Sequence, residues 1–300
     1  MCDEITEREL DEYLKAKSLT RRGFTVGVSA AIATSGALST ALATDKFDDS
    51  ELTETKVSVP TPDGAADAIF VHPSKGAHAA VIFWPDVHGV RPAFFAMARR
   101  LARAGYSVIA VNPYYRTHQG RLFFDGMSIR DPGARDLVAP HYSALSPDTI
   151  EIDAKALSVW LDQQPAVDAA RGVGAVGFCM TGSWTLRAAA AVPGRIKAPC
   201  SFHGGGLVTR EEDSPHLLAD KISGGVLIAI AENDHERNPI AKDILIEAFK
   251  TAEVPAEIEV YEDAMHGWVP TDSRAHHPEQ SERAWGRMLA LFETHLGAAG

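Results

Sequence analysis

Apolar residues follow two alternating patterns along the chain, short continuous runs and longer stretches with helical spacing. The continuous runs are rich in Val, Ile and Ala and predict strands over 66–72, 79–84, 107–111, 173–178, 198–202, 226–230 and 256–261. Apolar positions three and four apart predict helices over 94–102, 149–163, 184–191, 241–251 and 279–296. This alternation predicts an α/β fold with a mostly parallel, twisted sheet and helices on both faces. Residues 113–146 show neither pattern and are expected to form an irregular loop or lid.

The first 43 residues differ from the rest of the chain. Residues 1–22 carry mixed charge and end in an arginine pair, Arg21 and Arg22, and residues 23–43 contain no charged side chain. An arginine pair directly before an uncharged segment is typical of a signal for the twin-arginine export machinery. We therefore expect residues 1–43 to be an export signal of a periplasmic bacterial protein, cleaved near Thr44. The alternative is an N-terminal extension of a cytoplasmic protein. Residues 44–300 are expected to form a single domain.

Charge and cysteine content exclude several classes of protein. The chain has 40 Asp and Glu against 29 Lys and Arg, a formal net charge of -11. An acidic chain of this kind is not expected to bind nucleic acid, because contacts with phosphates require clusters of basic residues. The 3 cysteines show no Cys-x-x-Cys spacing, so neither a disulfide framework nor a bound metal is expected. The sequence leaves the oligomeric state open.

A nucleophile is predicted at the end of the strand over 173–178. Residues 177–182 read Gly-Phe-Cys-Met-Thr-Gly, which places Cys179 between a strand and a helix with a glycine on each side. This pattern is typical of a nucleophile elbow, a strained turn that presents a reactive side chain at the carboxyl edge of a sheet. The start of a helix also favours the thiolate, which is the reactive form of cysteine.

An acid and a base are predicted at two later strand ends. In folds with a nucleophile elbow, the acid and then the histidine follow the nucleophile along the chain. Asp234 follows the strand over 226–230, and His266 follows the strand over 256–261. Carboxyl ends of parallel strands share one edge of the sheet, so both side chains are expected near Cys179. Glu232 is a competing acid.

Backbone amides are expected to form the oxyanion hole. One is the amide of Met180, directly after the nucleophile, and the other is that of Val87, in the loop after the strand over 79–84. The run His203-Gly-Gly-Gly follows the nucleophile in the sequence, whereas the similar oxyanion motif of lipases precedes it. We therefore expect His203 to mark a turn beside the pocket.

Five segments, residues 84–92, 111–116, 177–182, 234–235 and 266–268, together resemble the dienelactone hydrolase family. The resemblance extends over residues 58–297. It implies an α/β-hydrolase fold that acts on small-molecule lactones or esters without a cofactor. Carried over by position, it implies a triad of Cys179, His266 and Asp234. It also implies that Asp86 lies beside the thiol and that Tyr115 and Arg116 border the substrate pocket.

Three positions depart from the family pattern. Thr181 stands where the family commonly has Gly, and Asp86 stands where it has the longer Glu. Pro270 occupies the position at which the type enzymes have an arginine that binds a substrate carboxylate. The candidates to replace that arginine are Arg116, Arg130 and Arg135.

Two other interpretations stay open at this point. A β-branched residue in the elbow would suit a non-catalytic binding protein on a hydrolase scaffold. A reactive thiol at Cys179 would also suit a thiol-redox protein, which ordinarily needs a second, resolving cysteine. Cys200 stands inside an apolar strand and is expected in the core.

Overall fold

A computed structural model describes residues 8–16, 45–124, 126–129 and 131–297 of the chain. Its centre is a sheet of eight strands: β1 (Leu52–Thr61), β2 (Gly64–Pro73), β3 (Ala80–Trp84), β4 (Ser107–Val111), β5 (Val173–Phe178), β6 (Ile196–Phe202), β7 (Val226–Ala231) and β8 (Ala256–Tyr261). The strand order is β1-β2-β4-β3-β5-β6-β7-β8. Strand β2 is antiparallel to both of its neighbours, and every later pair is parallel.

Helices cover both faces of this sheet. They are α1 (residues 8–16), α2 (Pro92–Arg103), α3 (Ala134–Tyr142), α4 (Pro147–Asp162), α5 (Gly182–Ala191), α6 (Glu232–Arg237), α7 (Ile240–Thr251) and α8 (Pro278–His295). Apolar side chains of α2 and α8 pack on one face, and those of α4, α5 and α7 pack on the other. Strand β3 supplies both layers: Val81 and Phe83 face α2 and α8, and Ile82 and Trp84 face the opposite layer. The predicted α/β architecture is therefore confirmed.

Strand β1 was not predicted because its hydrophobic pattern is weak. It lies at the edge of the sheet and pairs with β2 along its whole length, from Leu52 opposite Pro73 to Thr61 opposite Gly64. Val59 is the only buried residue of this strand. An edge strand with one covered face needs few apolar residues, and the polar side chains and Pro60 of β1 discourage pairing with a further strand.

Helices α3 and α6 were not predicted from the sequence. Helix α3 lies within residues 113–146, and it escaped prediction because it contains Pro140 and buries only Ala134 and Val138. Helix α6 follows β7 directly, so Asp234 lies on a short helix and not on a loop. The rest of 113–146 is largely irregular up to the start of α4 at Pro147.

The predicted export signal lies mostly outside the described residues. The arginine pair and the uncharged segment 23–43 fall outside them, and only residues 8–16 of the first 43 are described, as helix α1. Across 8–16, 45–124, 126–129 and 131–297, no helix combines the length and the apolar character needed to cross a membrane.

Candidate active site

Strand β5 runs into a strained turn at Cys179. The backbone of Cys179 has φ +53°, in the left-handed region that favours glycine, and a one-turn 3-10 helix from Cys179 to Thr181 leads into α5. The turn is tight because Gly177 has no side chain: a Cβ there would lie 2.1 Å from the Thr181 carbonyl oxygen. A Cβ on Gly182 would lie 2.4 Å from the Cα of Gly204, so both flanking glycines are required for close packing. This is the geometry of a nucleophile elbow.

Thr181 is accommodated inside the elbow. Its hydroxyl oxygen accepts a hydrogen bond from the Phe178 amide at 2.9 Å and lies 3.1 Å from the carbonyl oxygens of Trp84 and Phe178. The side chain is completely buried. Thr181 therefore ties the turn to the end of β3. Its hydroxyl is directed at the backbone, which removes the reason to interpret this position as a block on catalysis.

Asp234 and His266 meet at the carboxyl edge of the sheet. The His266 Nδ1–H donates to Oδ2 of Asp234 at 2.6 Å, and the His266 backbone N–H donates to Oδ1 of Asn233 at 2.8 Å. The other carboxylate oxygen of Asp234 accepts from Arg237 at 2.6 Å. The neighbouring Glu232, the competing acid, instead accepts from the Asp263 amide at 3.1 Å. The acid that orients the imidazole is thus Asp234.

Electrostatics favour a charged imidazole at this place. Burial disfavours the charged form of His266, but the Asp234 carboxylate and the sulfur of Cys179 outweigh it and raise the pKa of His266 to about 10. Burial also opposes the charge on Asp234, yet His266 and Arg237 lower the pKa of that carboxyl below its ordinary value. An imidazolium beside a cysteine stabilises the thiolate, which is the nucleophilic form.

A cavity of about 380 Å³ opens over these groups. Cys179, His203 and His266 line it from the edge of the sheet, and Phe123 and Phe124 line it from the segment after β4. Phe124 is 78% exposed, which is unusual for an aromatic side chain, and it lies at the cavity wall. A cavity with a cysteine at its base and a lining of both apolar and charged side chains suits a small organic substrate.

His203 lies at the base of the cavity. Its backbone is strained at φ +41°, its ring centroid is 5.0 Å from that of His266, and the side chain is buried. Neither ring nitrogen has a hydrogen-bond partner among the residues that the structure describes. Burial and the neighbouring His266 lower the pKa of His203 to about 4, so this imidazole is neutral at physiological pH. This position agrees with the expectation that His203 marks a turn beside the pocket.

Asp86 lines the cavity, but its carboxylate is engaged by other side chains. Arg91 donates to both of its oxygens, at 2.7 and 2.9 Å, and the His88 amide donates at 2.9 Å. Burial raises the pKa of Asp86, but Arg91 and His88 outweigh it and hold the pKa far below its ordinary value. Arg91 also donates to Asp272 at 2.7 Å. The carboxylate that the family resemblance placed beside the thiol is therefore part of an ion-pair network.

Tyr115 and Arg116 lie in a different place from the one predicted. The Tyr115 hydroxyl donates to Asp153 of α4 at 2.6 Å, and Arg116 donates to both oxygens of the same carboxylate at 2.7 and 2.9 Å. Neither residue is among the described residues that line the cavity. The buried Asp153 carboxylate needs a cation to compensate its charge, and this requirement holds the Arg116 guanidinium against α4. Arg116 therefore joins the loop after β4 to α4.

Other arginines occupy the cavity wall. Arg121 and Arg274 line it together with Arg91, whereas Arg135 is exposed on α3 and Arg130 lies outside the described residues. Sequence reasoning did not single out Arg274, because it stands eight positions after His266 and not four. Its position beyond the last strand, near His266, was the only indication that the sequence offered.

Tyr114 was also missed, and it connects the two predicted oxyanion residues. Its hydroxyl donates to the Val87 carbonyl oxygen at 2.7 Å and lies 3.5 Å from the sulfur of Met180. Met180 follows Cys179 in the 3-10 turn, at a helix start, where amides have no carbonyl partner within the helix. A buried tyrosine requires a hydrogen-bond partner for its hydroxyl, and this requirement was the indication that could have drawn attention to Tyr114.

Cys200 lies apart from this chemistry. Burial raises the pKa of its thiol well above the ordinary value, and its sulfur is 3.8 Å from the Ala198 carbonyl oxygen within β6. Both described cysteines, Cys179 and Cys200, are thiols and not a disulfide. An inert core thiol cannot resolve an oxidised Cys179, so the described residues offer no support for the redox interpretation.

An elbow on β5, followed by an acid after β7 and a histidine after β8, defines an α/β-hydrolase. The model of the dienelactone hydrolase family matches residues 66–296. Carboxymethylenebutenolidase from Rhodococcus opacus is 27% identical over 234 residues, which cover 76% of this chain and 86% of that protein. The chain belongs to the dienelactone hydrolase family, and it is a hydrolase of the class that acts on esters and lactones.

Solved structures show the same fold. The crystal structure of a candidate dienelactone hydrolase from Klebsiella pneumoniae superposes with a TM-score of 0.69 at 25% identity, covering 81% of this chain and 99% of that chain. Dienelactone hydrolase from Anabaena variabilis gives a TM-score of 0.56 at 18% identity, covering 82% and 100%. At 18% identity, the second similarity extends to the fold alone.

Proposed function

We propose that this chain hydrolyses lactones or small carboxylic esters with Cys179 as nucleophile, through a thioester intermediate. The observation that carries the proposal is the strained Cys179 beside His266, whose Nδ1 is held by Asp234 at 2.6 Å. The name of the related carboxymethylenebutenolidase and the match to the dienelactone hydrolase family support a lactone as the substrate.

In the first half of the reaction, the Cys179 thiolate attacks the carbonyl carbon of the substrate. The negative charge that develops on the carbonyl oxygen is stabilised by the amides of Met180 and Val87, which require no reorganisation as the charge forms. The imidazolium of His266 donates its proton to the leaving alkoxide, and the carbon–oxygen bond breaks. The acyl group remains on the sulfur as a thioester.

In the second half of the reaction, water displaces the Cys179 sulfur from the acyl group. His266, now neutral, accepts a proton from the water as its oxygen attacks the thioester carbonyl carbon. The carbon–sulfur bond breaks, the thiolate is restored, and a carboxylic acid leaves. Asp234 keeps the proton of the neutral ring on Nδ1 throughout, so that Nε2 is available to the reacting groups.

The experiment compares wild type, Cys179→Ala and Cys200→Ala on p-nitrophenyl acetate and a panel of lactones, with intact mass spectrometry of the mixtures. We expect turnover and a mass increase of one acyl group in wild type, both lost in Cys179→Ala. Cys200→Ala is the matched control and keeps both, because this thiol is buried in the core. Equal turnover by wild type and Cys179→Ala would contradict the proposal.

We further propose that residues 1–43 direct export through the twin-arginine machinery. The arginine pair and the uncharged segment after it support this proposal. N-terminal sequencing of protein from the periplasmic fraction is expected to begin near Thr44. A chain that still begins at Met1 and stays in the cytoplasm would contradict it.

A further inference from the structure

Helix α1 is docked against the segments that surround the catalytic histidine. Leu10 is 5% exposed and forms a small apolar cluster with Met265 and Ala275, against which Tyr13 and Leu14 pack. The apolar side chains of this nine-residue helix therefore face the domain. Arg8 and Glu12 point to solvent.

Polar contacts also hold the same helix against the domain. The hydrogen bonds run from the Tyr13 hydroxyl to the Asp263 carbonyl oxygen at 2.8 Å, from Asn233 to Glu9 at 2.8 Å, and from Arg274 to Asp11 at 2.8 Å. Asn233 directly precedes the catalytic acid, and it also accepts from the His266 amide. Helix α1 is thus bound to the two segments that carry the acid and the base.

The docked helix also forms part of the cavity wall. Leu10 lines the cavity together with Cys179, at the side where Arg274 lies. Asp11 pairs with Arg274, so the guanidinium that faces the cavity already has an anionic partner. Helix α1 therefore narrows the cavity and occupies one of its cationic side chains.

The contacts are of a kind that forms and breaks readily. The Arg274–Asp11 pair is about half exposed on both sides, and exposed ion pairs contribute little to stability. The apolar cluster has three buried members, far fewer than either core layer. Segments with so few buried contacts open locally without unfolding of the domain.

We propose that residues 8–16 are an autoinhibitory cap, which restricts access to Cys179 when docked and opens the cavity when released. Cleavage near Thr44, as proposed above, removes the cap together with the export signal, so the exported enzyme has the open cavity. The effect on turnover rests on the proposed hydrolase activity, whereas the docking and the access to the thiol are independent of it.

The experiment uses the full chain with the double substitution Leu10→Ala and Tyr13→Ala, and Glu12→Ala as the matched control on the solvent side of the helix. Three quantities are measured: hydrogen exchange of the amides in 8–16, the iodoacetamide alkylation rate of the Cys179 peptide, and kcat/KM with p-nitrophenyl acetate and butyrate. If the cap is docked in about nine-tenths of wild-type molecules, its release raises kcat/KM and the alkylation rate about tenfold. Glu12→Ala leaves all three unchanged.

The other possible results contradict either the proposed cap or the proposed hydrolase activity. The cap is contradicted if the amides of residues 8–16 are unprotected from hydrogen exchange in wild type. It is also contradicted if these amides exchange faster in the double variant while the alkylation rate of Cys179 does not rise. A faster alkylation in the double variant, with no ester or lactone turnover by any form, supports the cap and contradicts the proposed hydrolase activity.

Discussion

The carboxylate of Asp234 lies 2.6 Å from Nδ1 of His266, the short distance of a hydrogen bond between charged groups. Arg237 holds the second oxygen of the same carboxylate at 2.6 Å, so the acid is fixed at both ends. The imidazole is therefore held in one orientation before any substrate binds. Through this arrangement, a carboxylate 55 positions beyond Cys179 in the sequence orients the imidazole that lies beside the thiol.

Asp234→Asn is expected to lower kcat by roughly 10²–10⁴-fold with a small change in KM, because the amide no longer fixes the tautomer or stabilises the imidazolium. Steady-state kinetics on p-nitrophenyl acetate measure the effect. Glu232→Gln is the control and is expected to change kcat less than about twofold, since this side chain bonds the Asp263 amide. A larger loss in Glu232→Gln than in Asp234→Asn would assign the acid to Glu232.

Gly177→Ala is expected to destabilise the protein by about 3 kcal/mol or more and to abolish activity, because the new Cβ would overlap the Thr181 carbonyl oxygen. Gly286→Ala, on α8, is the matched control. A Cβ there meets nothing within 4 Å, so this substitution is expected to stabilise the helix by about 0.4–1 kcal/mol. Urea denaturation measures both changes. A fully active, stable Gly177→Ala protein would show that the elbow is less tight than the structure indicates.

Tyr114→Phe is expected to lower kcat roughly tenfold with little change in KM, because loss of one buried hydrogen bond frees the Val87 loop that we propose to supply an oxyanion amide. Tyr106→Phe removes another buried tyrosine hydroxyl, in the opposite layer of the core, and should leave kcat unchanged. Parallel kinetics on the two purified variants test the expectation. Equal kcat values for both variants and wild type would remove Tyr114 from the positioning of the oxyanion hole.

His203 is expected to make the free energy of unfolding depend on pH in the acidic range. Its pKa is lowered by burial and by His266 from 6.5 to about 4, so between these values the unfolded chain binds a proton that the folded protein excludes. Its contribution to stability is complete above about pH 6.5 and is lost as pH falls toward 4. His203→Phe should therefore reduce the slope of unfolding free energy against pH by up to about 1.4 kcal/mol per pH unit.

Urea denaturation of wild type and His203→Phe at pH 7, 6 and 5 measures this slope. The difference between the two proteins isolates His203 from the other histidines. Parallel slopes would mean that the buried imidazole takes up a proton as readily as an exposed one.

The sequence predicted the central strands and the helices that cover them, since each buries a continuous run or a stripe of apolar residues. Strand β1 and helix α3 bury little and left no such pattern. The order of Cys179, Asp234 and His266 was also readable, because carboxyl ends of parallel strands must share one edge.

Partners that are distant along the chain could not be predicted. Asp86 was expected beside the thiol and lines the same cavity as Cys179. The sequence did not show that its carboxylate pairs with Arg91, which also binds Asp272, 181 residues beyond Arg91. Arg116 was expected at the pocket, but the buried Asp153 on α4 holds it. In both cases a buried carboxylate requires a cation, and the sequence does not show which cation is nearest.

The sequence by itself determined the fold class and the order of the chemical groups, because hydrophobic periodicity and strand ends are local properties. Only the tertiary structure decided which charges pair, where Tyr114 lies, that the ring of His203 contacts that of His266, and that residues 8–16 reach the cavity. Those features depend on distances across the fold, where burial forces polar and charged groups to find partners that no local pattern specifies.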